Sequence, residues 1–147
     1  MTDPLESDFR RLLPTLPVSQ VQALLDTVAH LDLDRMNEPE TGLIMITAND
    51  CYQHPFHLGE MLVTRAEIEF DGIPAHATVM GDAAEAALLA ATLNALLRHP
   101  NADELTQSFR ERWPDIAREA QARIDEEQHV AATTNVAFES MAEEEEI

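Results

Sequence analysis

Arg65 closes the run Leu58-Gly59-Glu60-Met61-Leu62-Val63-Thr64-Arg65, where alternation sets it on the polar side of a strand. A planar guanidinium in that position binds a phosphate or a carboxylate through two parallel hydrogen bonds. The competing reading is local: Glu67 stands two residues on, and an ion pair with it would absorb the charge without a substrate. Cys51, His54 and His57 follow at intervals of three, with His76 further along, and all are ligand types for zinc. Their spacing matches no closed structural zinc pattern, so no metal is expected and the three are candidates by type alone. His76 reads more simply as a surface pair with Glu67.

The serines Ser7, Ser19, Ser108 and Ser140 lie in polar or helical contexts, and none has an identifiable base beside it. The glycines, at positions 42, 59, 72 and 81, are too dispersed for a glycine-rich phosphate loop. No catalytic residue is identified, and the chain reads as catalytically incomplete on its own.

The elements that position these residues follow from periodicity. A short helical piece around Leu5 to Leu13 is separated by Pro14 and Pro17 from a helix starting at Val18, whose Val21, Leu24, Leu25 and Val28 form one stripe. Asp32 to Glu40 reads as a polar connection, Leu43 to Thr47 as a short buried strand, and the segment with Cys51, His54, Pro55 and His57 as a loop. Leu62, Thr64, Ala66, Ile68 and Phe70 alternate with Val63, Arg65, Glu67 and Glu69, the period of a strand with one buried face. Asp71-Gly72 predicts a two-residue turn that pairs Phe70 with Ile73, Ile68 with Ala75, Ala66 with Ala77 and Thr64 with Val79. The opposite face then pairs Glu67 with His76 and Arg65 with Thr78.

Asp82 and Glu85 are spaced as an N-cap with its capping-box partner, ahead of a helix carrying Ala86, Leu89, Leu93 and Leu96 and ending near Arg98-His99-Pro100. A last helix is predicted from Asp103 to about Gln128, broken or kinked at Pro114, with Phe109, Trp113, Ile116, Ala120 and Ile124 inward. The fold class is α+β: a small antiparallel sheet with a hairpin at 60–80, packed by helices, and a helical C-terminal arm. Residues 1–130 form one domain and 131–147 an arm ending in the acidic run Glu143 to Glu146.

The chain has 147 residues, with 28 Asp and Glu against 9 basic residues, every one of them Arg, for a net charge of -19. Such a surface repels phosphate backbones and anionic headgroups, which disfavours nucleic acid and membranes as partners and favours a basic protein. The acidity is equally consistent with a device for solubility. A lone cysteine, Cys51, an N-terminus without signal-peptide character and the lack of a long apolar run predict a cytoplasmic location.

Three runs in fixed order, Pro39-Glu40-Thr41-Gly42-Leu43, Leu58 to Arg65 and Val79-Met80-Gly81-Asp82, together with Val136, Phe138 and Met141 at apolar and Met spacing, carry a family resemblance. The ordered set resembles the PhnG-type small subunit of the carbon-phosphorus lyase core complex. That resemblance implies an accessory subunit acting with H-, I- and J-type partners in a two-fold assembly. It also implies support for MgATP-dependent transfer of a phosphonate to ribose C1 with release of adenine, in organic phosphonate catabolism.

By the same resemblance MgATP is a co-substrate of the complex, and this chain alone binds no cofactor. Glu40, Thr41, Glu60, Val136, Phe138 and Met141 become partner-interface candidates, and Arg65 a substrate contact. The pattern departs from the family where Asp82-Ala83-Ala84-Glu85 replaces a basic pair, where Asn49 to His54 replaces a glycine-rich stretch, and where Asn135 replaces a basic residue. These losses mark a divergent member. The alternatives are an acidic interaction or regulatory module without enzyme association, and a metal-binding domain using Cys51, His54 and His57. Either way an isolated chain could pair with a second copy as a homodimer.

Overall fold

The Asp71-Gly72 turn and the alternation before it produce the predicted hairpin. A computed structural model describes residues 4–134, and in it Asp71 and Gly72 both take positive φ, 49° and 73°, the primed turn that matches strand twist. The strands it joins are β3 (Pro55–Phe70) and β4 (Ile73–Met80). Their register pairs Phe70 with Ile73, Ile68 with Ala75, Ala66 with Ala77 and Thr64 with Val79, as predicted.

β3 is the spine of a four-stranded antiparallel sheet. β4 takes one edge of it, and the other edge is shared in sequence by β2 (Glu40–Asn49) and the two-residue β1 (Asp34–Arg35). The predicted polar connection after residue 31 therefore contains a strand: β1 pairs Asp34 with Glu69 and Arg35 with Ile68. The predicted loop through Cys51 is also shorter than expected. Asp50 Oδ1 accepts from the amides of Tyr52 and His54, both at 2.8 Å, which closes a tight turn and returns the chain to strand at Pro55.

One helix covers the sheet. α3 (Ala84–Arg98) is apolar on two sides, and its alanines permit close approach to the strands. Ala87, Leu88, Ala91 and Ala95 pack with Ala66, Ile68, Ala75 and Ala77 in one buried cluster. Leu89 and Leu93 belong to a second, shared with α1 (Pro4–Leu12), α2 (Val18–Val28) and α5 (Gln107–Thr133). Phe9, Phe109 and Trp113 anchor that second cluster, with ring centroids 5.3 to 5.9 Å apart.

Two helix boundaries differ from expectation. The last helical region is divided at the buried Thr106, between the short α4 (Ala102–Leu105) and α5, whereas α5 runs through Pro114 without a break. Thr106 Oγ1 donates to the Ala102 carbonyl and accepts from Arg110 Nε, so a side chain fills bonds at the junction. Proline lies in the second turn of α5, where the cost of a missing amide is spread over packing by Trp113 and Ile116 on either side. At α3 the expected Asp82 cap is absent: Ala83 holds the N-cap position and no side chain caps the helix. Asp82 is engaged elsewhere, as described below.

Leu89 is 1% exposed where α3 meets the helical cluster. Leu89→Ala should therefore cost about 2–5 kcal/mol of unfolding free energy, read as a lowered urea midpoint with little change in slope.

Candidate functional site

The three ordered runs meet at Thr64. This residue is fully buried in the middle of β3, with Thr41 opposite on β2 and Val79 opposite on β4. Its hydroxyl donates to the Gly81 carbonyl at 2.7 Å, accepts from the Ala83 amide at 3.0 Å and lies 3.1 Å from the Thr41 hydroxyl. Thr41 Oγ1 in turn donates to Asp82 Oδ1 at 3.2 Å. Asp82 is thus held toward β2 instead of capping α3, and the Ala83 amide is satisfied by Thr64. Gly81, at φ 87°, makes the exit from β4 possible, and its amide donates to the Leu62 carbonyl at 2.8 Å.

Beyond this junction the sheet loses its cover. β4 ends at Met80 opposite Val63, so Pro55 to Met61 of β3 pair only with β2. The result is a two-stranded ribbon from Gly42 to Leu62, closed by the turn at residues 50–54. Its register shifts between Ile46 and Thr47, leaving Leu58 without an opposite number beside Gly59.

The ribbon is apolar on both faces. Leu43 and Met45 lie on the face that continues Thr64 and Ala66, while Ile44 and Met61 lie on the other. Leu43 is 61% exposed, Met45 51%, Leu58 64% and Met80 61%. This corrects two expectations: β2 is a ten-residue strand that is mostly exposed, and Leu62 is uncovered because no helix reaches past Thr64. Val63, assigned to the polar face, is buried between Gly42 and Met80 in the register.

Glu40 sits opposite Arg65, and Glu60 opposite Met45. Arg65 Nη2 is 2.6 Å from Glu67 Oε1, an exposed ion pair, and the other Glu67 oxygen accepts from Asn37 Nδ2 at 3.3 Å. An incoming anion would have to displace Glu67 and approach Glu40. Glu67 is so occupied while His76 stands opposite it in the register.

The Cys51, His54 and His57 segment does not converge. Cys51 is exposed, His54 Nδ1 is 3.6 Å from Asp50 Oδ2, and His57 Nδ1 is 3.4 Å from Thr47 Oγ1. Among the described residues no three His, Cys, Asp or Glu side chains are grouped to hold a metal ion. Val136, Phe138 and Met141 lie outside the described residues. A half-open groove of about 580 Å³ between α2 and α3 was not foreseen; its lining includes Arg35 but also Asp26, Glu38 and Glu85, so it disfavours an anionic ligand. No helix among the described residues is long and apolar enough to cross a membrane.

A family model described as phosphonate metabolism protein PhnG matches residues 7–143. No curated protein matches the chain.

Thr64→Val preserves shape but leaves the Gly81 carbonyl and Ala83 amide without their partner. It should cost about 1–3 kcal/mol, measured by urea unfolding, while Thr64→Ser retains most of the stability.

Proposed function

The chain belongs to the PhnG family of phosphonate metabolism proteins, and from that premise we propose that it is an accessory subunit of a carbon-phosphorus lyase core complex. In this reading it supports, without performing alone, the MgATP-dependent transfer of a phosphonate to ribose C1 with release of adenine. The observation that carries the subunit role is the ribbon from Gly42 to Leu62, whose apolar side chains stand in water on both faces. An isolated two-stranded hairpin is at best marginally stable, and exposed apolar patches of this kind mark protein interfaces.

The Thr64 junction supports the same reading from the other side. Thr41, Thr64, Gly81 and Asp82 of the three runs are engaged in joining the ribbon to the helix-covered sheet, and Arg65 is engaged by Glu67. Glu40, Thr41 and Glu60 lie along the base and length of the ribbon, where a partner covering it would meet them. The H-, I- and J-type subunits are the proposed partners, and MgATP is their co-substrate.

Co-expression with H-, I- and J-type subunits tests this. The chain should be recovered with them at moderate salt, and omitting it should abolish adenine release from MgATP and an alkyl phosphonate. Recovery of the chain alone, with release undiminished in its absence, sinks the proposal. In the assembled complex Arg65→Gln separates substrate contact from surface pairing: loss of turnover with assembly intact assigns Arg65 to the anion, and unchanged turnover assigns it to Glu67.

A further inference from the structure

The free edge of β2 runs from Glu40 to Asn49 and pairs with nothing among the described residues on its outer side. Edge strands are normally guarded by Lys, by Pro, by inward charges or by shortness. Between Glu40 and Asp50 this one reads Thr-Gly-Leu-Ile-Met-Ile-Thr-Ala-Asn, with no Lys, Pro or inward charge, and its one bulge, after Ile46, places the extra residue on β3 and lies beyond the stretch Thr41 to Met45.

The direction of its backbone groups follows from the junction. Leu62 gives its carbonyl to Gly81 on the β4 side. Alternation therefore turns Met61 and Val63 toward β2, and their partners Ile44 and Gly42 toward β3. Thr41, Leu43 and Met45 are left with amide and carbonyl facing outward.

We propose that β2 receives a strand from a partner protein, so that the sheet continues across the interface, and that this strand is apolar at its centre and carries Lys or Arg at its flanks. The proposal rests on the subunit reading above and specifies its mode of docking. Charge selects the occupant. From Met36 to Thr64 the chain has no Lys or Arg, while Glu38 and Glu40 precede the edge, Asp50 follows it and Glu60 lies on the adjoining strand.

A second copy fits poorly. Antiparallel self-pairing centred on Met45 would set Glu40 of each chain beside Asp50 of the other, between bodies each of net charge -19. A strand with basic flanks converts both ends from repulsion to attraction.

The test uses the full chain co-expressed with the H-, I- and J-type subunits. Leu43→Pro and Met45→Pro each remove one outward amide that the free fold does not use, whereas Leu43→Thr changes the side chain and keeps the amide. Each proline should lower recovery of the partner subunits by about tenfold, the equivalent of one or two lost ladder bonds, with circular dichroism and melting of the free chain unchanged. Leu43→Thr should lower it far less.

Hydrogen exchange of the unsubstituted protein supplies a readout that does not depend on variants folding. The Leu43 and Met45 amides should exchange fast in the free chain and slowly in the complex, with Gly42 and Ile44 protected in both. A complex that forms without new protection at Leu43 and Met45, or that survives both prolines, overturns strand addition and leaves the subunit reading standing. Failure of the unsubstituted chain to form any complex overturns both. A homodimer in which those amides become protected overturns the assignment to a basic partner.

Discussion

The hydroxyl of Thr64 is the point on which the rest of the arrangement depends. It is buried, it lies at the midpoint of the longest strand, and it bonds to the exit of β4 and the entrance of α3 while resting against the Thr41 hydroxyl at the start of β2. Because a buried donor or acceptor left unmet is costly, these four segments are fixed relative to one another by polar satisfaction as much as by packing. On one side of Thr64 the sheet is covered by α3; on the other it continues uncovered as a ribbon. The junction is therefore a hinge point in function without being one in mechanics: it aims an apolar hairpin away from the body.

That division explains why the three runs cohere. Glycine at 81 permits the positive φ of the exit, the two threonines supply hydroxyls at the crossing, and Asp82 ties β2 to it. Each of these groups makes a contact at the crossing, and Arg65, next to Thr64 on β3, is paired with Glu67. Membership of the PhnG family ties the chain to phosphonate metabolism, and its ordered residues build a mount for an exposed ribbon.

The acidic composition acquires a location in the same way. A net charge of -19 spread evenly would serve solubility alone. Along the ribbon, however, carboxylates flank an apolar centre with no Lys or Arg between Met36 and Thr64. Under the proposed strand addition, that combination opposes self-pairing at the edge and favours a partner of opposite charge, doing for specificity what a guarding lysine does for avoidance in other sheets.

Sequence by itself determined the parts whose partners are near in the chain. The β3–β4 register followed from the Asp71-Gly72 turn, because a two-residue turn fixes pairing outward from itself; the stripes of α2, α3 and α5 followed from helical period. Where bonding partners are distant, local signals misled. Asp82 has the chemistry of an N-cap but is taken by Thr41, and Pro114 has the chemistry of a break but lies where flanking residues pack, so the division fell at Thr106. The continuous apolar run in β2 looked like a buried strand because periodicity records hydrophobicity, which says that a surface must be covered and not by what. That α3 and β4 stop at Thr64 and Val63, leaving the ribbon uncovered, is settled only by contacts between segments distant in the chain.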